Sequence, residues 1–181
     1  MKQLHITPAM GKRLIAKGIA QRPDVQRVLE KGNLVIIAGT TNGYVAEEIL
    51  TLLGQAAGFS RVGFRRGITV PPGAEAPEID FPGDVVISAG VWQEGKTVTD
   101  AVKQLQEGDI VLKGANAFDP RGQAAVQIGS DVGGTIITSM PAVIGRRVKL
   151  IVPMKNMGTA SGSGPVLSGT LWCPITSIWP S

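Results

Sequence analysis

Thr40, Thr41 and Asn42, set between Gly39 and Gly43, are the side chains of this sequence best suited to hold an anion. Two hydroxyls and an amide are neutral donors, and flanking glycines let a ligand approach the backbone closely. Exposed N–H groups at a following helix start would point at the same place, aided by the helix dipole. Two further Gly-rich turns are built alike, Gly114–Asp119 and Gly129–Gly134, the first preceded by Lys113 and the second containing Ser130. Lys113 either neutralises an anion or points to solvent from a strand end. Glu47, Glu48 and Glu94 are unplaced carboxylates; solvation on a helix surface accounts for at least one of the first two. No turn matches a Walker loop or G-x-G-x-x-G, so nucleotide-cofactor binding has no direct support and no cofactor is expected.

Missing residue types narrow the field. His5 is the one histidine and Cys173 the one cysteine. An internal disulfide is impossible, and a zinc site lacks its cluster of ligands; a carboxylate-ligated Mg²⁺ stays open but nothing specifies one, so no metal is assigned. Nucleophilic catalysis of the Ser–His or Cys–His kind would rest on His5 alone, in a polar leader without a supporting pattern. The net charge of +4 is mild and its basic groups are short: Lys12–Arg13, Arg65–Arg66, and Arg146–Arg147 with Lys149. Without a basic stripe and interleaved aromatics, nucleic acid is not the expected partner, and RNA binding through the arginine pairs ranks last. No long apolar stretch follows Met1, and the segment from Val132 to Gly145 is interrupted by Gly133, Gly134, Ser139 and Pro141. Neither reads as a signal or a membrane span, which predicts a cytoplasmic chain with no membrane partner.

The elements that must position these turns follow from periodicity. A chain of 181 residues with 43% hydrophobic and 18% charged residues fits one globular domain over 1–181. Thr7-Pro8 opens a helix with Met10, Leu14, Ile15 and Ile19 at helical spacing, and Pro23 starts a second that Gly32 ends as C-cap. The continuous apolar run from Leu34 to Ala38 predicts a strand buried on both faces, and Tyr44 to Leu53 a helix beyond the turn. Val62–Phe64, Ile68–Val70 and Asp84–Ser88 are strand candidates, and Thr99 is the expected cap of a helix through Leu105. Asp109–Lys113 and Val148–Pro153 read as buried strands, with Ala124–Ile128 a short return segment between them. Strands alternating with helices predict a parallel or mixed sheet with helices on both faces. The tail from Gly158 to Ser181 carries Val166, Leu167, Leu171, Trp172, Ile175, Ile178 and Trp179, which need a surface on this domain or on a neighbouring subunit. Together with the region of Trp92 it predicts a homo-oligomer.

Ile37-Ala38-Gly39-Thr40-Thr41-Asn42-Gly43 before a helix resembles the G-T-G-S-T phosphate loop of ribose-5-phosphate isomerases. Lys113-Gly114-Ala115-Asn116-Ala117-Phe118-Asp119-Pro120-Arg121-Gly122, with Val126-Gln127-Ile128-Gly129-Ser130 after it, is similar to the G-A-D…N-G…N-K-I-G-T segment. That segment belongs to methylthioribose-1-phosphate isomerases and to related regulatory subunits of a translation initiation factor. Both groups lie in the superfamily of ribose-5-phosphate isomerases, glucosamine-6-phosphate deaminases and CoA-transferases. The resemblance implies an α/β fold, a Rossmann-like three-layer sandwich with a mostly parallel sheet, and a sugar phosphate or related anion across the turns. Carried over by position, Gly39, Thr40, Thr41 and Gly43 would bind phosphate; Gly114, Asn116, Gly129 and Ser130 would line the sugar side.

Two departures bear on activity. Asn116 stands where the G-A-D pattern has its acid, and Gln127 where that pattern has lysine. An amide does not exchange a proton near neutral pH, so acid–base work at 116 is lost. Asp119, three residues on, either acts as the base instead or caps the Asp119-Pro120-Arg121-Gly122 turn. The expectation is a small-molecule binding protein with or without isomerase-type activity, a non-catalytic regulatory or assembly subunit being the alternative.

Overall fold

The structure is a computed structural model and describes residues 6–67, 73, 75, 81–118, 123–153 and 171–175, the last five and Phe118 as backbone alone. The first helix, α1 (Pro8–Ala20), starts as the sequence predicts: Pro8 occupies its first turn and Thr7 Oγ1 accepts the Met10 N–H at 3.3 Å. Its buried face is Ala16, Ile19 and Ala20, whereas Met10 and Leu14 are exposed, a rotation from the expected face. α2 (Pro23–Lys31) ends at Gly32, whose φ of −116° is ordinary extended backbone. Gly32 is needed for space instead: a Cβ there would lie 2.5 Å from Val28 Cγ2.

Among the described residues eight strands form two sheets. β1 (Asn33–Ile36), β2 (Val85–Ser88), β3 (Val91–Trp92), β4 (Ile110–Leu112) and β7 (Lys149–Ile151) form a five-stranded sheet in the order β3-β2-β1-β4-β7. β5 (Ala117–Phe118), β6 (Ala124–Ile128) and β8 (Leu171–Ile175) form a second, all antiparallel sheet. In the larger sheet β1 runs parallel to β4, and β4 to β7, but β2 is antiparallel to both β1 and β3. The expected mostly parallel sheet is thus corrected to a mixed one. A four-residue apolar run buried on both faces suits either direction, so composition does not decide it.

Alternating side chains divide the core. Leu34, Ile36, Val85, Ile87, Ile110 and Leu112 face α1, α2 and α3 (Thr40–Leu52). Val35, Ile37, Val86 and Val111 face α4 (Val98–Ala101), Leu105 and a π-helical turn at Pro141–Gly145 that continues α5 (Gly134–Met140). Helical segments therefore cover both faces, and each fully buried aliphatic side chain contributes about 1.5–3 kcal/mol. Thr97, not Thr99, caps α4, in a reciprocal capping box with Asp100. Val62–Phe64 forms turn rather than strand, and Ile68–Val70 lies outside the described residues.

Two buried aspartates tie the sheet to its surroundings. At the amino ends of β1 and β4, Asp109 accepts the Asn33 N–H at 2.7 Å and the Gln106 N–H at 2.9 Å. At the carboxyl end of β1, Asp84 accepts the Ala38 N–H at 2.9 Å and the Val98 N–H at 2.7 Å. Among the described residues no helix is long and apolar enough to cross a membrane.

Candidate functional site

β1 and β4 are parallel neighbours, and the chain leaves them toward opposite faces of the sheet. After β1 it turns into α3, on the face of Leu34 and Ile36. After β4 it passes through the second sheet and α5 to the π-helical turn, where Ala142 packs on the other face. In open α/β sheets ligands collect outside the carboxyl ends of strands whose connections diverge in this way.

Thr40-Thr41-Asn42-Gly43 is the first turn of α3, not a turn before it, and Gly39 is the N-cap. The Gly43 N–H is taken by Gly39 O at 2.8 Å, so the N–H groups of Thr40, Thr41 and Asn42 precede the first intrahelical bond. Among the described residues no side chain caps them. Gly39 is extended (φ −179°), and the nearest atom to a Cβ there would be 3.9 Å away. Its lack of a side chain leaves the helix start uncovered.

Asn42 is buried and turned inward. Its Nδ2 donates to Ile37 O at 2.7 Å and to Leu112 O at 3.0 Å, tying the ends of β1 and β4 together. Its Oδ1 is buried without a partner. The side-chain donors that remain at the helix start are those of Thr40 and Thr41. Gly43 is likewise enclosed, a Cβ there lying 3.1 Å from Arg61 Cβ.

Lys113 directly follows β4. Its half-buried ammonium donates to Gly114 O at 2.9 Å. Burial lowers its pKa from the ordinary 10.5, Asp84 opposing the shift and Arg66 adding to it. Arg66 forms an ion pair with Asp84 and lies 4.2 Å from the centre of the Phe81 ring. The carboxyl ends of β1 and β4 thus carry a helix start with no side-chain cap among the described residues, two cations, and one buried carboxylate that is already satisfied.

The remaining expected residues lie elsewhere. The Asn116 N–H donates to Ala125 O at 2.9 Å and its Oδ1 accepts the Gln127 N–H at 3.0 Å, so it fixes the β5–β6 hairpin. Gly129 and Ser130 form the exit from β6, where Ser130 O accepts the Gly133 N–H at 3.0 Å. Among the described residues no hydrogen bond joins Gly129 or Ser130 to the start of α3. Asp119 lies outside the described residues, as does His5. Glu47 and Glu48 both pair with Arg13 of α1, and Glu47 also with Arg61 at 3.4 Å, on the side of α3 facing α1. Arg146 donates to Leu105 O at 2.7 Å and to Val102 O, which makes it a cap for the end of α4. Among the described residues no three His, Cys, Asp or Glu side chains cluster as a metal site requires.

The sequence reading missed Asp84 and Arg66. Asp84 directly precedes an apolar run, as does Asp109, and a carboxylate at the mouth of a buried strand must find N–H partners. No family model, curated protein or solved structure matches this chain.

Proposed function

We propose that the protein binds a phosphorylated small molecule of the sugar-phosphate class outside the carboxyl ends of β1 and β4. The phosphate sits against the N–H groups of Thr40 and Thr41, and the Lys113 ammonium supplies the opposing charge. The divergence of the chain at β1 and β4 carries this reading, because the start of α3 and Lys113 follow closely on the ends of these two neighbouring parallel strands. Under the same reading the β1–α3 and β4 segments act as the halves of a Rossmann-like three-layer sandwich. Binding without turnover is the favoured form, since Asn116 is an amide whose oxygen already holds the Gln127 N–H. The isomerase form needs Asp119 as the base for enediol-type proton transfer.

Melting temperature in the presence of ribose 5-phosphate tests the binding, with ribose and inorganic phosphate as references. A ligand at a hundred times its Kd stabilises the native state by about 2.7 kcal/mol. Ribose 5-phosphate and phosphate should raise the melting temperature while ribose does not. Thr40→Pro removes one N–H at the first helical position, where proline fits and the preceding extended Gly39 tolerates it. Its own melting temperature should stay near that of the parent chain, whereas its stabilisation by phosphate should fall. Absence of any shift with both phosphorylated compounds, or full retention of it in Thr40→Pro and Lys113→Met together, rules the proposal out.

A further inference from the structure

A cavity of about 360 Å³ is walled by Phe59, Phe64, Val85, Trp92, Arg65 and Glu94 among others, and neither Thr40 nor Lys113 lines it. Its volume is in the range that takes a small organic molecule. The Phe59 ring meets Phe64 edge-on at 5.2 Å and Trp92 edge-on at 6.1 Å, so the wall is aromatic and geometrically fixed. Gln55 holds the backbone of β3 by accepting the Trp92 main-chain N–H at 2.8 Å and donating to Gly90 O at 2.7 Å.

The polar groups of this wall are unusual. Arg65 makes no side-chain hydrogen bond or ion pair among the described residues, and its Nε is buried without an acceptor. Trp92 Nε1 is buried and unpartnered as well. A guanidinium edge and an indole N–H are donors only, so both lack the same thing, an acceptor oxygen. Of the two carboxylates on the wall, Asp84 is neutralised by Arg66 and Glu94 is exposed to solvent, so among the described residues Arg65 has no counterion. Buried donors of this kind are normally paired.

We infer that this cavity is a binding site for an aryl carboxylate, its ring held by Phe59, Phe64 and Trp92 and its carboxylate by Arg65. The site is distinct from the proposed phosphate position, which uses backbone N–H groups of α3 and Lys113. A carboxylate suits it because the planar guanidinium presents parallel donors to two oxygens.

The test follows the Trp92 indole N–H by nitrogen–proton correlation NMR, the signal being assigned as the one Trp92→Phe removes. Phenylacetate should shift it saturably, and phenylacetamide, of the same shape without the charge, should bind at least tenfold more weakly. Arg65→Gln should weaken phenylacetate by a similar factor and leave phenylacetamide unchanged. No saturable shift with phenylacetate, equal affinity for acid and amide, or an Arg65→Gln chain that binds phenylacetate as the parent does would each overturn the assignment. If Arg65→Gln does not fold, the acid–amide comparison on the parent chain decides alone.

Discussion

Burial holds the pKa of Lys113 below its ordinary 10.5, so the folded chain sheds that proton earlier than the unfolded one does. Between the depressed value and the ordinary one the unfolded state carries more protons, and stability there rises with pH. Urea denaturation in steps from pH 7 to pH 10.5 should show that rise in the parent chain and lose it in Lys113→Met. Ligand binding runs the opposite way, because an anion favours the ammonium. Phosphate affinity should therefore decline over the same alkaline range. The pairing of these slopes separates a charge that serves a ligand from one that merely tolerates its surroundings. Asp84 behaves differently: with two backbone N–H groups and Arg66 around it, its role is to hold the ends of β1 and α4.

At the scale of elements, α2 and β1 meet at Gly32 with almost no clearance. A Cβ at Gly32 would lie 2.5 Å from Val28 Cγ2 and 3.1 Å from Asp109 Oδ1. Gly32→Ala should cost about 1–3 kcal/mol in chemical denaturation, since either the helix end or the Asp109 bond to Asn33 must shift. Helices α1 and α2 and the strands β1, β2, β4 and β7 could be read from caps, prolines and apolar runs. What could not be read was direction: the return from α3 into β2 runs antiparallel, and Val85-Val86-Ile87 carries no mark of it. The start of α3 was hidden for another reason. Thr40, Thr41, Asn42 and Gly43 all favour turns, yet Asn42 finds its acceptors on β1 and β4 only when the helix begins at Thr40. Tertiary bonds outweigh local propensity there. The candidate site was legible at Gly39–Thr41 and Lys113; Arg66 and Asp84 were not, because their pairing spans 18 residues of chain without periodicity.

Across the whole molecule, Asp24 joins parts far apart in sequence. Its carboxylate takes Arg22 at 2.9 Å and Lys149 of β7 at 2.8 Å, so α2 is tied to the far edge of the main sheet. The Arg22 bond, helped by Lys149, holds its pKa well below the usual carboxylate range. Stability from this contact is present above the ordinary value of 3.8 and is lost as the pH falls below it. Thermal melts from pH 5 downward should fall less steeply in Asp24→Asn than in the parent chain.

The second sheet has a consequence in time. Every strand of the main sheet is complete in sequence at Ile151, whereas β6 at Ala124–Ile128 has β8 at Leu171–Ile175 for one of its two neighbours. During synthesis the main sheet can close while β6 still waits with one open edge. The antiparallel ladder from Ala124↔Ile175 to Ile128↔Leu171 is then the last to zip. A nascent or proteolysed chain that ends before residue 171 would present that edge to any other strand it meets.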